Sequence, residues 1–190
     1  MTAIRTNTSP TWLVRLHTEL DAAEKRARDL VQPLSSEQFN WSPRPGAWSI
    51  GQCIQHLAVS NEVYVGPLAE ALRAPATGPV QEITPGWFAR YFIRNYIAPS
   101  DKKARAPGKI APREHVELSV LDRFVQSNQT VRDLADLAQD HDVNKIRFVN
   151  PFIPVKLFTV GTAFEIVWQH EGRHLLQAER VRAEREFPAK

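Results

Sequence analysis

Two histidines near the end of the chain, His170 and His174, have the spacing of a pair that binds one ligand. In a helix, residues four apart lie about 40° apart on one face and one turn apart along it, so both imidazoles point at the same place. The pair falls on the apolar stripe of a predicted helix, whose other members are Ala163, Val167, Ala178 and Val181. Because an unpaired imidazole is costly to bury, this pair needs a partner, either a metal ion or structural hydrogen bonds.

His56 supplies a third imidazole. It lies on a second predicted helix, between Cys53 and Ser60, on the face expected to point inward. A lone inward histidine is usually structural, but metal sites in helical bundles are built from side chains on facing helices. Cys53 is the only cysteine, which excludes a zinc site with several cysteines. Three histidines leave one position on a zinc-like ion open, and an open position is typical of a catalytic site.

The string HEGRH at 170–174 also matches the HExxH pattern of zinc proteases. The extended protease motif has a glycine and a third histidine beyond the second ligand, where this chain has Gln177 and Arg180. No alternating strand pattern is present to predict a sheet edge that would align a peptide substrate. We therefore reject proteolysis as the function.

Glu171 takes the place of the general base in that string and is the one candidate catalytic residue. It would orient a ligand or contact the reacting water. The alternative is a salt bridge to Arg173 or Arg113, which would give Glu171 a structural role only.

Four segments have the apolar spacing of long amphipathic helices. The first is expected to be capped by Ser9, with Pro10 at its first helical position. The second opens with a capping box of Ser49 and Gln52, and Pro67 is expected to kink or end it. The stretch 34–47 between them reads as a turn-rich connection.

The other two long helices lie in the second half of the chain. Ser119 and Asp122 are expected to open the third helix, which ends near 139. Thr162 and Glu165 form a capping box for the last helix, which is expected to reach about 186. Four such helices without a strand pattern predict an all-α protein, an antiparallel four-helix bundle.

A long proline-rich insertion, 74–118, separates the second and third helices. Its aromatic segment 87–97 is expected to form a short helix whose aromatic side lies on the bundle, covers the open side of the metal and shapes a pocket. The insertion is also basic, which favours a solvated face over an anion or nucleic-acid site. The basic residues that give it this character include Arg90, Arg94, Lys102, Lys103, Arg105 and Lys109.

Composition limits the class of protein. The 190 residues, of which 43% are hydrophobic and 24% charged, fit a single globular domain, 1–190. The formal net charge of +3 is too small to make nucleic acid the leading partner. No apolar run is long enough for a membrane helix, and the polar start is not an export signal. With a single cysteine, these features predict a cytoplasmic protein.

Several motifs together resemble the DinB-like family, the second branch of the DinB superfamily. They are LSSEQFNW at 34–41, PGAWSIGQ at 45–52, the His56-Leu57 pair, GTAFE at 161–165 and HEGRHLLQAER at 170–180. The resemblance implies an up-down-down-up bundle, frequent homodimers, and a metal bound by one histidine of the second helix and two of the last. In this chain those positions are His56, His170 and His174.

Known activities in that superfamily include thiol S-transfer with bacillithiol or mycothiol, mycothiol-dependent maleylpyruvate isomerisation and metal-dependent hydrolysis. The resemblance therefore implies a divalent ion, zinc or nickel, that activates a thiol or a water on a small-molecule substrate. We expect thiol transfer with a low-molecular-weight thiol as cosubstrate, ahead of hydrolysis. The alternatives are a non-catalytic bundle that binds metal or another ligand and, with less support, a nucleic-acid-binding protein.

Overall fold

The computed structural model describes residues 9–100, 106–153 and 156–189. Within these ranges the chain is helical, with one isolated bridge between Arg147 and Thr159 and no β-strand. The four long helices are α1 (Thr11–Val31), α3 (Ile50–Ala71), α5 (Val120–Ala138) and α6 (Val160–Arg182). Shorter elements are α2 (Ser36–Asn40), α4 (Trp87–Phe92), a π-helical turn (Ile93–Ile97) and a 3-10 turn (Gly108–Ile110). The predicted all-α class is confirmed.

Contacts between α1 and α6 show that these helices run in the same direction. Near their N-termini, Trp12 stacks on Phe164 with the ring centroids 5.4 Å apart. Near their C-termini, Arg26 Nε donates to Glu179 Oε1 at 2.8 Å. Because both the starts and the ends of the two helices meet, α1 and α6 are parallel neighbours.

The other two long helices run the opposite way. One apolar cluster contains the first turns of α3 and α5, with residues such as Ile54 and Phe124, and the last turns of α6. A second apolar cluster contains the last turns of α3 and α5 and the first turns of α6. On the α1 side, Arg132 of α5 binds Glu24 at 2.7 Å, and His17 lies 3.2 Å from Asp136. The four directions are therefore up, down, down, up.

The helix starts follow local capping chemistry only in part. Ser49 Oγ accepts from Gln52 N at 3.1 Å and Gln52 Oε1 accepts from Ser49 N at 3.0 Å, so the predicted capping box of α3 is confirmed. The same reciprocal pair, Ser35 and Gln38, opens α2 inside the stretch predicted as a connection. Phe39 of α2 is fully buried and anchors this short helix to the bundle.

Three other predicted caps are wrong. Helix α1 starts at Thr11 after Pro10 with no side-chain cap, so Ser9 has no capping role. Ser119 is already helical, with φ −60° and ψ −12°, because a turn from 117 leads directly into α5. The cap of α6 is Thr159, which is extended and accepts from Thr162 N at 3.2 Å. Helix α6 also ends at Arg182 and does not reach 186.

Pro67 lies inside α3, which continues to Ala71. The proline lacks the N–H that an uninterrupted helix would use, and it ordinarily excludes the helical conformation for the residue before it. That residue is Gly66, which has no Cβ to clash with the proline ring. Leu68, fully buried in the core, holds the following turn in place, so Pro67 does not end the helix.

Two apolar clusters fill the bundle, one at each end, and a layer of polar side chains lies between them. In this layer Asn61 Nδ2 donates to Ser127 Oγ, Asn128 Oδ1 and Glu171 Oε1 at 3.2, 2.8 and 2.9 Å. These bonds join α3, α5 and α6 at mid-height. His56 of α3 lies in the same part of the bundle and is 2% exposed.

The insertion lies on the bundle through part of its aromatic set. Phe88 and Phe92 contact Phe158 with ring centroids 5.8 and 5.3 Å apart, whereas Trp87 and Tyr91 are exposed. The expectation that the aromatic residues of this segment lie on the bundle is therefore correct for Phe88 and Phe92 and wrong for Trp87 and Tyr91. Of the basic residues named above, Arg90, Arg94 and Lys109 are exposed, and Lys102, Lys103 and Arg105 fall outside the described residues. None of the described helices has the length and apolarity to span a membrane.

Candidate metal centre

Antiparallel packing of α3 against α6 brings the three predicted histidines together. His56 comes from α3, and His170 and His174 come from successive turns of α6. One ring nitrogen from each histidine lies within 4.8 Å of those of the other two. His56 Nε2 and His170 Nε2 are 3.1 Å apart.

The orientation of His56 is set by the insertion. Its Nδ1 lies 2.7 Å from the carbonyl oxygen of Ile110, in the 3-10 turn. Because a carbonyl oxygen only accepts, Nδ1 carries the proton, and Nε2 of the neutral ring presents its lone pair to the cluster. Burial lowers the pKa of His56, an effect that the bond to Ile110 partly offsets.

His174 has an equivalent arrangement within its own helix. Its Nδ1 donates to Gln177 Oε1 at 3.0 Å, which leaves Nε2 as the unprotonated nitrogen. Burial, and after it the neighbouring His56, lowers the pKa of His174 to about 3. Burial, and then the charges of His174, His56 and Arg173, hold the pKa of His170 well below its ordinary value. All three imidazoles are therefore neutral near pH 7.

This donor set fits a divalent transition metal. Histidine binds zinc through a neutral ring nitrogen at about 2.0–2.1 Å, so two nitrogens on one tetrahedral ion stand about 3.3 Å apart. The 3.1 Å between His56 and His170 is close to that value. Metal-binding histidines also usually donate their other N–H to a carbonyl or similar acceptor, as Ile110 and Gln177 allow here. The His56, His170 and His174 cluster could hold a metal ion.

Trp48 forms one wall of the cluster. Its ring lies 4.8 Å from that of His56 and 5.5 Å from that of His174, measured between centroids. It directly precedes Ser49, the cap of α3, so the start of that helix fixes its position. The sequence analysis did not assign Trp48 to the site. The residue stood out only as part of the PGAWSIGQ motif at 45–52, and nothing in that motif indicated a contact with the histidines.

A cavity of about 560 Å³ opens beside the cluster, and all three histidines line it. The insertion supplies part of its wall through Phe92, Tyr96 and Ile97. The predicted position of segment 87–97 near the three histidines is therefore observed. A cavity of this volume suits one or two small molecules.

Arg173 holds the insertion against α6 beside the cavity. Its Nη1 donates to the carbonyl oxygen of Ala98 at 2.9 Å and to Ser100 Oγ at 2.6 Å. The residue is 8% exposed, and burial lowers the pKa of its guanidinium. Residues 98–100, which follow the aromatic segment, are thus tied to the helix that carries His170 and His174.

Glu171 points into the polar layer. Its oxygens accept from Asn61 Nδ2 at 2.9 Å and from Asn128 Nδ2 at 3.5 Å, and the residue is fully buried. Burial raises the pKa of this carboxyl to about 8, although the two amides act in the opposite direction. The described hydrogen bonds of Glu171 thus connect α6 to α3 and α5.

The remaining candidates have other neighbours. His17 lies beside Asp136, His115 lies 3.5 Å from Glu117, and His141 Nε2 lies 3.1 Å from the carbonyl oxygen of Ala74. Cys53 is fully buried in an apolar cluster, and burial raises its pKa.

The residues that support the cluster were harder to find in the sequence. Gln177 lies three positions after His174, so helical spacing was a usable signal. The acceptor at Ile110 is a backbone carbonyl, for which no side chain gives a signal.

Comparison with known proteins gives one family. A model of the DinB superfamily matches residues 19–178. No curated protein and no solved structure matches the chain significantly.

Proposed function

Because this chain belongs to the DinB superfamily, we propose that it is a metal-dependent enzyme in which His56, His170 and His174 bind one divalent cation, zinc or nickel. The observation that carries the proposal is the convergence of three neutral imidazole nitrogens within 4.8 Å. Two of the three rings have their outer nitrogen on an acceptor, which aims the unprotonated nitrogen at a common point.

The proposed reaction is transfer of a thiol to a small-molecule electrophile, with hydrolysis as the alternative. A divalent ion at such a site lowers the pKa of a thiol or a water, so that the nucleophile forms near neutral pH. The volume of about 560 Å³ supports the thiol reaction, since a low-molecular-weight thiol and its electrophile fit together. The aromatic wall of Trp48, Phe92 and Tyr96 would limit the water available for hydrolysis.

Other residues have positioning roles in this proposal. Ile110 and Gln177 hold the outer nitrogens of His56 and His174. Glu171, the candidate catalytic residue of the sequence, is assigned to positioning because its bond to Asn61 joins the two helices that carry the histidines.

Elemental analysis of untagged protein tests the proposal, beside the triple variant His56→Ala, His170→Ala and His174→Ala. We expect about one divalent ion per chain in the wild type and none in the variant. His115→Ala is the matched control, because His115 is exposed and lies beside Glu117. Wild-type protein that takes up neither zinc nor nickel would contradict the proposal.

Turnover is tested on the metal-loaded protein. Low-molecular-weight thiols are assayed with small electrophiles, and amides and esters are assayed for hydrolysis. Turnover that requires the three histidines and a thiol supports the transferase. Stoichiometric metal without turnover in either assay would favour the non-catalytic binding role.

We further propose a small-molecule substrate, no nucleic-acid or membrane partner, and a cytoplasmic homodimer. The dimer and the location follow from the superfamily resemblance and the single cysteine. Sedimentation analysis tests the dimer, and a single species of monomer mass would contradict it.

A further inference from the structure

Two residues of α3 that carry hydroxyl groups line the cavity, one and two turns after His56. Ser60 and Tyr64 both line the cavity and are 3% and 6% exposed. Residues four apart follow one face of a helix and rise about 6 Å per step. The two hydroxyls therefore extend the polar face of α3 inward from the histidine cluster.

Ser60 Oγ is buried and has no hydrogen-bond partner among the described residues. A buried serine inside a helix often donates to the carbonyl oxygen three or four residues earlier, and Ser60 does not. Ser127, a buried serine of α5, shows the ordinary case, since its Oγ donates to the carbonyl oxygen of Phe124 at 2.7 Å. A buried hydroxyl without a partner is unfavourable, which points to a ligand that supplies the missing acceptor.

Tyr64 is held so that its proton is available. Its oxygen accepts from Asn150 Nδ2 at 3.3 Å, while Asn150 Oδ1 accepts from the backbone N–H of Phe152 and Ile153. The ring of Phe152, which also lines the cavity, lies 5.9 Å from that of Tyr64. Burial raises the pKa of Tyr64 to about 12, so the phenol remains a donor at ordinary pH.

The charge along the cavity decides the kind of acceptor. Because α3 and α6 are antiparallel, Ser60 and Tyr64 lie toward Ile166, whereas Arg180 and Glu184 follow His174 at the other end. The charged residues that line the cavity are Arg44, Arg173, Arg180 and Glu184. None of them lies on α3, and on α6 none precedes His170, so the part of the cavity beside Ser60, Tyr64 and Ile166 has no charged side chain from either helix. A carboxylate bound there would be buried without a cation, which is costly, while a neutral carbonyl oxygen would not.

We propose that the inner end of the cavity binds a neutral carbonyl oxygen of a small-molecule ligand, an amide, ester or ketone, through Ser60 and Tyr64. The rest of the same ligand extends toward His56, His170 and His174. The second statement rests on the proposed function of the cluster, and the first rests on the two hydroxyls alone.

The first test measures the stability of the metal-free protein in urea. Ser60→Ala removes a hydroxyl without a partner, so its unfolding midpoint should equal or exceed that of the wild type. The matched control Ser127→Ala removes a bonded hydroxyl and should lower the midpoint. A comparable decrease for Ser60→Ala would show that Ser60 is structural and would overturn the proposal.

The second test measures ligand affinity on cobalt(II)-loaded protein, through the change in cobalt absorption. The probes are mercaptoacetamide and its longer homologues, with alkanethiols and mercaptocarboxylates of matching length. At the chain length that places its carbonyl oxygen beside Ser60, the amide should bind roughly three- to tenfold more tightly than the alkanethiol. This ratio is the gain in affinity expected from one hydrogen bond. Ser60→Ala should abolish this preference and leave the affinity for the alkanethiol unchanged.

Three outcomes would overturn the proposal: equal binding of amide and alkanethiol at every length, a preference that survives in Ser60→Ala, or tightest binding by the carboxylates. A protein that binds no cobalt would instead contradict the proposed function. In that case calorimetry compares the same amides and alkanethiols on metal-free wild type and Ser60→Ala. Loss of an amide preference in the variant then supports the proposal, and equal binding overturns it.

Discussion

Two histidines of the candidate centre, His56 and His174, have an acceptor that fixes the outer ring nitrogen. For His174 this acceptor is the side chain of Gln177, one turn further along α6. Without it the ring would lose its fixed orientation, and either nitrogen could carry the proton. We therefore expect the affinity for the proposed metal to depend on Gln177, which would not itself bind the ion.

Gln177→Ala should weaken the binding of zinc or nickel roughly tenfold or more, because the ring of His174 is no longer held. The measurement is a competition titration against a chelator of known affinity. Gln129→Ala is the matched control, since Gln129 bonds Asp133 on the exposed face of α5. Equal affinity in Gln177→Ala and wild type would show that packing against Trp48 alone orients His174.

Asn61→Ala should reduce the free energy of unfolding by about 1–3 kcal/mol, because it removes a donor from the buried carboxyl of Glu171. The same amide also bonds Ser127 and Asn128, so the loss should lie toward the upper end of that range. Urea unfolding measures it. Asn95→Ala, which removes a bond on the exposed side of the insertion, should change stability by less than about 0.5 kcal/mol.

The elements position the site through close contacts at their ends. Helix α3 begins at Ser49, directly after Trp48, and Phe39 of α2 fills the space beside its first turn. A Cβ on Gly51 would lie 2.8 Å from the ring of Phe39. Glycine at this position therefore allows α2 to pack against the start of the helix that carries His56.

Gly51→Ala should destabilise the protein by about 1–3 kcal/mol, because a methyl group cannot enter between α3 and the buried ring without displacing it. Thermal or urea unfolding measures the change. The control is Gly172→Ala in α6, where the nearest atom to a new Cβ is Pro99 Cγ at 3.6 Å. There the better helix propensity of alanine should leave stability equal or higher by about 1 kcal/mol. Similar losses in both variants would contradict this explanation.

At the scale of the whole molecule, two apolar clusters form the core of the bundle, and a layer of polar side chains lies between them. All four long helices contribute buried side chains to both clusters. We therefore expect the bundle to fold without the histidines and a bound metal to add stability to it.

His170→Ala should retain the helical circular dichroism of the wild type and lose the response of stability to metal. In the wild type, zinc at about 100 times its dissociation constant should add about 2.7 kcal/mol to the free energy of unfolding. His115→Ala should respond like the wild type, since His115 lies outside the cluster. A large loss of helix in metal-free His170→Ala would show that the cluster is required for folding.

The sequence by itself was sufficient for the features that depend on local periodicity and local bonds. Apolar spacing marked the four long helices, the Ser49 and Gln52 box marked the start of α3, and the four-residue spacing placed His170 and His174 on one face. His56 could be added because its helix presents it inward. These features need only neighbours in the chain, so a pattern of residue types is enough to predict them.

The tertiary structure decided what depends on residues far apart in sequence. It selected Thr159 over Thr162 as the cap of α6, and the burial of Leu68 in the core kept α3 helical beyond Pro67. It also placed the carbonyl oxygen of Ile110 on His56. The position of a backbone carbonyl cannot be read from residue types. Whether a buried hydroxyl such as that of Ser60 has a hydrogen-bond partner depends on the donors and acceptors of all the elements packed around it. Those partners exist only once the helices and the insertion have come together.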